Sequence, residues 1–287
     1  MSYAVLGGTG NTGKIAAERL LAAGKPVRLL ARDATKLASL AARGAEVVVG
    51  DVTDAASLAR AFDGVAGAYV LVPPNMAAES FRAYQERVIR ALSEAVKLAG
   101  VPHVVLLSSV GAQHPTGTGP IAALHVAEEA LATTGAALTS IRAAYFMENV
   151  AGSLSMLGAG VLPSFLPLDL PLDMIATRDI GALAATSLLE GRSTSGVVEL
   201  GGPPITMRQV AEVLAGLVGR PVEAKDFGLD AAVPTLTGLG MSADMAGLYG
   251  EMLRGIVSGR VAFEGGHRRV QGTTSLAEVL RPLLPKV

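Results

Sequence analysis

Over the first 150 residues, short runs rich in Val, Leu and Ile alternate with longer stretches in which apolar positions recur every three or four residues. The short runs at 3–6, 27–31, 46–49, 67–72, 103–108 and 138–142 predict strands. Between them, helical patterns fall at about 12–23, 35–42, 55–61, 79–99 and 121–133, each ending near a glycine or a turn. A parallel pair of strands needs a long crossover, usually a helix, so this alternation predicts a parallel sheet covered on both faces. The expected fold class is α/β, with six strands in a doubly wound sheet.

After Asn149 the rhythm changes. A segment rich in Leu, Pro and Gly runs to Leu172, followed by a helix at 178–189, a short strand at 197–200 and the turn Gly201-Gly202-Pro203-Pro204. Thr206 and Gln209 have the spacing of a capping box, which predicts a helix from there to about Val218. Residues 222–225 are a weaker strand candidate. From Leu229 to Leu284 the chain reads as helices, with a loop around 263–274. The expected organisation is a nucleotide-binding domain over 1–150 and a smaller C-terminal α/β lobe, mostly helical, over 151–287 on the substrate side.

Composition narrows the chemistry. Half of the 287 residues are apolar and only 17% are charged, so the chain can bury a large core. Twenty-four basic residues against 25 acidic ones give no positive field for a phosphate backbone, so nucleic acid is not an expected partner. With no cysteine, zinc–thiolate sites, iron–sulfur clusters and cysteine nucleophiles are excluded. The four histidines lack close spacing to carboxylates, and no metal is expected. The N-terminus runs straight into a strand and turn, unlike a secretion signal. The longest uncharged apolar stretch, 150–168, is broken by Gly152, Gly158, Gly160, Pro163 and Pro167 and reads as a buried helix end followed by a loop rather than a membrane span. A cytoplasmic monomer or homodimer acting on a small molecule, with no membrane partner, is the expectation.

The first strand leads into Gly7-Gly8-Thr9-Gly10-Asn11-Thr12-Gly13 and then a helix. Glycines at 7, 10 and 13 allow a tight turn and let bare backbone approach a diphosphate resting on the positive end of the helix dipole. The pattern predicts the phosphate-binding turn of a Rossmann-type sheet, the alternative being an ordinary strand-to-helix turn. A P-loop is excluded because Ile15 follows Gly13-Lys14, where magnesium ligation needs Ser or Thr. At the end of the second strand stands Arg32, followed by Asp33 and, beyond it, Lys36. A guanidinium there suits the 2′-phosphate of NADP, so NADP(H) is preferred and NAD(H) remains possible. Asp51, with Val52 beside it, closes the third strand, where a carboxylate can take the adenine amino group or cap a turn. Val72 and Ser108, at the ends of strands four and five, would border the nicotinamide.

Carbonyl reductases of the short-chain type use a tyrosine with a lysine four residues later. None of the five tyrosines has that lysine, and residues 111–134 contain none at all. Ser108, Ser109, His114, His125, Glu128 and Tyr145 remain for acid–base work, with His125 and Ser109 as the catalytic candidates. Hydride transfer to a quinone or another conjugated acceptor needs no protein acid, since the product oxyanion can take its proton from water. The residues fit that chemistry better than carbonyl reduction. An epimerase or dehydratase would need a tyrosine or lysine base that the spacing does not supply.

The glycine turn, Arg32-Asp33, Gly50-Asp51, Leu107-Ser108-Ser109, Ile141-Arg142 and Phe146-Met147-Glu148-Asn149 together resemble the NmrA-like group of atypical short-chain dehydrogenases. The likeness continues through Ile175-Ala176-Thr177-Arg178-Asp179-Ile180-Gly181, Glu199-Leu200-Gly201-Gly202 and Gly272-Thr273-Thr274. It implies diphosphate contacts at Gly7 to Gly13, a phosphate or ribose contact at Arg32, an adenine contact at Asp51 and nicotinamide-side contacts near Val72, Ser108, Tyr145 and Phe146, the last two beside the substrate. It also implies NADPH-dependent reduction of a quinone-like or dye-like acceptor; the alternative is a non-enzymatic NADP(H)-binding redox sensor. Many enzymatic relatives carry a lysine four residues before the glutamate matching Glu128; here Leu124 stands there.

Overall fold

The computed structural model describes residues 1–75 and 78–284. Its strands, in chain order, are β1 (Ser2–Val5), β2 (Val27–Ala31), β3 (Glu46–Val49), β4 (Val65–Val70), β5 (His103–Ser109), β6 (Ala137–Ala143), β7 (Tyr145–Phe146), β8 (Val161–Ser164), β9 (Leu172–Ile175), β10 (Gly196–Gly201), β11 (Pro204–Ile205), β12 (Glu223–Asp226) and β13 (Arg268–Gln271). The helices are α1 (Asn11–Ala22), α2 (Ala38–Ala41), α3 (Ala55–Phe62), α4 (Phe81–Ala99), α5 (Ala122–Ala132), α6 (Thr177–Glu190), α7 (Met207–Val218), α8 (Ala232–Gly238), α9 (Ala243–Val257) and α10 (Leu276–Leu280).

Eight strands form one sheet in the order β13-β10-β6-β5-β4-β1-β2-β3, and every pairing in it is parallel. The expected doubly wound sheet is present, and two strands from the second half of the chain, β10 and β13, extend it. β13 overturns the reading of 263–274 as a loop: Arg268 to Gln271 pair in register with Val198 to Gly201. β4 lies two residues earlier than the hydrophobic run suggests, because Leu71 and Val72 continue the apolar pattern beyond the hydrogen-bonded register. The stretch 150–168 is also more regular than expected, a 3₁₀ helix over Met147–Ala159 followed by β8, which pairs with β12. The pattern over 35–42 divides into a 3₁₀ turn at Ala34–Leu37 and the short α2.

Local chemistry explains the helix ends. Asp54 accepts the amides of Ala56 and Ser57 at the start of α3, and Ser80 accepts that of Ala83 in α4. Both halves of the Thr206–Gln209 capping box are made. One core fills the face of the sheet under α3, α4 and α5; a second fills the face under α1 and α6; a third joins the 3₁₀ helix, α7, α9 and α10. Among the described residues no helix is long and apolar enough to cross a membrane.

Close backbone contact seats the first helix. A Cβ on Gly13 would collide with the carbonyl oxygens of Leu6 and Gly7, and one on Gly181 would lie 2.5 Å from the Thr12 carbonyl oxygen and 2.7 Å from Ile15 Cβ. α1 is therefore pressed between the end of β1 and the side of α6. Replacing Gly181 by alanine should destabilise the fold by about 1–3 kcal/mol, lowering the melting temperature by roughly 3–10 °C in calorimetry.

The opposite edge of the sheet carries a titrating group. His103 is buried, its Nε2 lies in hydrogen-bond contact with Thr139 Oγ1 at 2.9 Å, and its Nδ1 has no partner among the described residues. Burial, and then the charge of Arg192, hold its pKa below the ordinary histidine value. The folded chain thus binds fewer protons there than the unfolded chain, so stability should decline as pH falls below about 6.5. His103→Gln should flatten that decline, as read from denaturant midpoints at pH 7.5 and 5.5.

Candidate active site

The carboxyl ends of β1, β2, β4, β5 and β6 line one edge of the sheet, where an open α/β fold binds its ligands. At its centre, Gly7 has φ +70°, and a Cβ there would sit 2.8 Å from the Leu71 side chain, so the turn needs glycine on two counts. Gly10 donates its amide to the Gly7 carbonyl at 2.8 Å. Gly10 also precedes α1 without a side-chain cap, which leaves the first-turn amides pointing along the positive helix end with no side-chain acceptor. Thr9, Gly10 and Asn11 are exposed. Thr12 differs: it is buried and its Oγ1 accepts from the Tyr69 hydroxyl at 3.0 Å. Tyr69, absent from the sequence expectations, ties the turn to β4. Burial pushes its pKa well above the ordinary phenol value, and the link stays protonated.

At the end of β2, Asp33 accepts from Thr35 through both the amide (3.0 Å) and the hydroxyl (2.6 Å), capping the 3₁₀ turn. Its pKa is lowered chiefly by the Thr35 side chain. Arg32 and Lys36 are exposed, and neither joins an ion pair with the described residues. Asp51 Oδ1 is likewise held by Thr53, through its amide at 2.8 Å and its hydroxyl at 2.7 Å, with Val52 half-buried beside it. The turn role weighed for Asp51 is thus filled by one oxygen. Tyr84 of α4, another residue the sequence did not single out, lies near both Asp51 and Arg32; its pKa is raised first by burial and then by Asp51.

Strands β5 and β6 end in a buried polar network. Ser108, Arg142 and Glu199 are in register on β5, β6 and β10. Arg142 donates from Nε to Glu128 Oε1 at 3.1 Å and from Nη2 to Glu128 Oε2 at 2.7 Å, while its Nη1 reaches Glu264 Oε2 at 2.6 Å. Ser108 donates to Glu128 Oε1 at 2.5 Å. Burial alone would lower the Arg142 pKa, and the two carboxylates more than offset it.

This network bears on the acid–base candidates. The Ser108 hydroxyl donates to Glu128. His125 was expected to donate to substrate, but its Nδ1 contacts the Ala112 carbonyl at 2.9 Å and so carries the proton, while Nε2 faces Glu129 at 3.5 Å. Neutral His125 has no free N–H, and a protonated ring is paired. The Ser109 hydroxyl donates to the Val110 carbonyl at 3.0 Å. Tyr145 is half-buried and hydrogen-bonded to Asn149; burial, with Tyr249 nearby, pushes its pKa up to about 12, so it remains a protonated phenol. Phe146 packs against the core under α1 and α6, and Val72 is half-buried at the end of β4. Two shallow hollows of about 510 Å³ and 300 Å³ lie on the α3–α4 and α1–α6 surfaces. Among the described residues no group of three His, Asp or Glu could hold a metal.

Other motif residues prove to be ties. Glu148 accepts the amide and hydroxyl of Thr177 at the start of α6. Asp179 accepts the amides of Thr273 and Thr274 and the Thr274 hydroxyl, and Gly272 leaves room for it.

The sequence profile described as the NmrA-like family matches residues 2–251. The chain is 29% identical over 253 residues to an NAD(P)H azoreductase of Xenophilus azovorans, covering 86% of this chain and 85% of that one. It is 32% identical over 231 residues to a (4-alkanoyl-5-oxo-2,5-dihydrofuran-3-yl)methyl phosphate reductase of Streptomyces griseus, covering 79% and 78%. Among solved structures, an NADPH-dependent quinone oxidoreductase of Escherichia coli complexed with NADPH superposes with a TM-score of 0.73 at 25% identity, covering 99% of each chain.

Arg142→Met should cost about 3–5 kcal/mol in urea unfolding, because it strands Glu128 without its cation. Adding Glu128→Met should recover most of that loss; a double variant no more stable than the single one would contradict the pairing.

Proposed function

This chain belongs to the NmrA-like family, and on that premise we propose that it is an NAD(P)H-dependent reductase that favours NADPH and passes hydride to a quinone-like or other conjugated small molecule. The reading rests most on the pairing of an uncapped first turn of α1 with an unengaged Arg32 whose neighbour Asp33 is occupied by Thr35. A dinucleotide fits that arrangement: amides of the turn 7–13 other than that of Gly10 hold the diphosphate, and Arg32 with Lys36 holds the 2′-phosphate. The second oxygen of Asp51, with Val52, meets the adenine. Val72 and the backbone of Ser108 border the nicotinamide, and Tyr145 and Phe146 face the acceptor. The azoreductase, the furanyl phosphate reductase and the quinone oxidoreductase support the reductase class.

Bound NADPH supplies the hydride; the net change is quinone, NADPH and one proton giving hydroquinone and NADP⁺. The residues of this chain orient and enclose. With Ser108, Ser109 and His125 engaged, the proton comes from water, which favours acceptors whose reduced oxyanion is stable enough to wait for it. A second reading, a redox sensor that binds NADP(H) without turnover, draws on the same engaged donors.

Purified protein should oxidise NADPH, followed by absorbance, only when a quinone is added. Gly10→Asp should abolish this through charge repulsion rather than misfolding, since a Cβ at that position meets only the Gly7 carbonyl oxygen, at 3.4 Å. Arg32→Ala should weaken NADPH relative to NADH by about tenfold, near the value of one charged hydrogen bond. No acceptor-dependent oxidation across a broad quinone panel, with unequal affinities for NADP⁺ and NADPH, would favour the sensor.

A further inference from the structure

Residues 258–267 form a mostly exposed strap between α9 and β13, outside the segment that matches the family. On one side it holds the loop between β5 and α5. Arg260 Nε donates to the Thr116 carbonyl at 2.9 Å, and Gln113 Nε2 donates to the Ala262 carbonyl at 2.9 Å. Gly111, with φ +88°, has no Cβ, and Val261 packs where one would point. On the other side two adjacent residues anchor the strap with opposite polarity. Glu264 accepts from Arg142 Nη1, and Gly265 donates its amide to the buried Glu199 at 2.8 Å. His267 Nε2 lies 3.1 Å from the same Glu264 oxygen. The His267 contact first, and Arg142 second, hold the Glu264 carboxyl below the ordinary range, so the anchor is ionised.

The anchor is separable from the fold. When Nη1 is released, Arg142 keeps Nε and Nη2 on Glu128, so removing Glu264 strands no buried cation. The Glu264 side chain is 46% exposed, against 13% for Glu128. Glu128 thus serves the fold, whereas Glu264 serves the strap.

We propose that Glu264 is a positioning residue: by latching the strap to Arg142 it holds loop 109–117, which leaves the carboxyl end of β5 beside the place proposed for the nicotinamide. The latch itself stands on geometry; only its kinetic consequence rests on the reductase reading.

Hydrogen exchange read by mass spectrometry on the full chain tests the latch. In Glu264→Ala, amides of 109–117 and 258–267 should exchange about tenfold faster while those of α1 keep their wild-type rate. Glu264→Gln, which keeps an amide oxygen for Arg142, should fall between. Kinetically, Glu264→Ala should raise the KM for a soluble quinone about fivefold, with kcat and the Kd for NADPH within about twofold of wild type. Arg260→Ala, cutting another of the strap's ties to the same loop, should act in the same direction and serves if Glu264→Ala does not fold. Unchanged exchange in 109–117 in the folded variants, or a fall in kcat at constant KM, overturns the proposal. A wild-type protein that reduces no acceptor sinks the functional reading instead, and the exchange comparison still decides the latch.

Discussion

The site depends on one backbone-on-backbone contact, that of Gly13 against the carbonyls of Leu6 and Gly7. It fixes where α1 begins and therefore where its positive end points. A helix displaced by the width of one methyl group would present its amides elsewhere, and an anion held by amide dipoles is sensitive to direction as well as distance. The far side of α1 is fixed in the same manner by Gly181, and the Tyr69–Thr12 hydrogen bond ties the first turn to β4. With three supports the turn is rigid before any ligand arrives, so its amides need no reorganisation on binding.

That contact gives the ties around α6 their purpose. Glu148 carries the chain leaving β6 onto the start of α6, and Asp179 binds the segment after β13 to the same helix. Both oxygens of each carboxylate are taken up by these ties. They hold α6, α6 holds α1, and α1 presents the amides. The residues that carry the resemblance beyond the glycine turn are therefore largely architectural, and the chemistry is left to a few positions at the strand ends.

The sheet was legible because parallel strands buried on both faces leave unbroken apolar runs, and the glycine turn was legible because its geometry demands glycine. β13 was not: Arg268-Arg269-Val270-Gln271 is an edge strand whose pairing comes from the backbone of β10, with no apolar alternation to announce it. The roles of Asp33 and Asp51 were within reach, since Asp33-Ala34-Thr35 and Asp51-Val52-Thr53 both carry the Asp-x-Thr spacing of an Asx turn. The occupation of Ser108 by Glu128 and the reach of Glu264 to Arg142 join residues 20 and 122 apart in sequence, and no local pattern signals them.

The disposition of protons then constrains the chemistry. The hydroxyls and imidazole nearest the end of β5 each have a partner inside the protein, and burial keeps the Tyr145 phenol protonated near neutral pH. Rate enhancement at such a site must come from holding the two reactants in line and excluding unproductive orientations. Positioning lowers the barrier for any acceptor that fits, but it cannot stabilise a strongly basic product. On the proposed reading, a quinone spreads the new charge over its ring and leaves a product that can wait for a proton from water. If the proposed reduction holds, selectivity follows from the stability of the reduced product as much as from the fit of the acceptor.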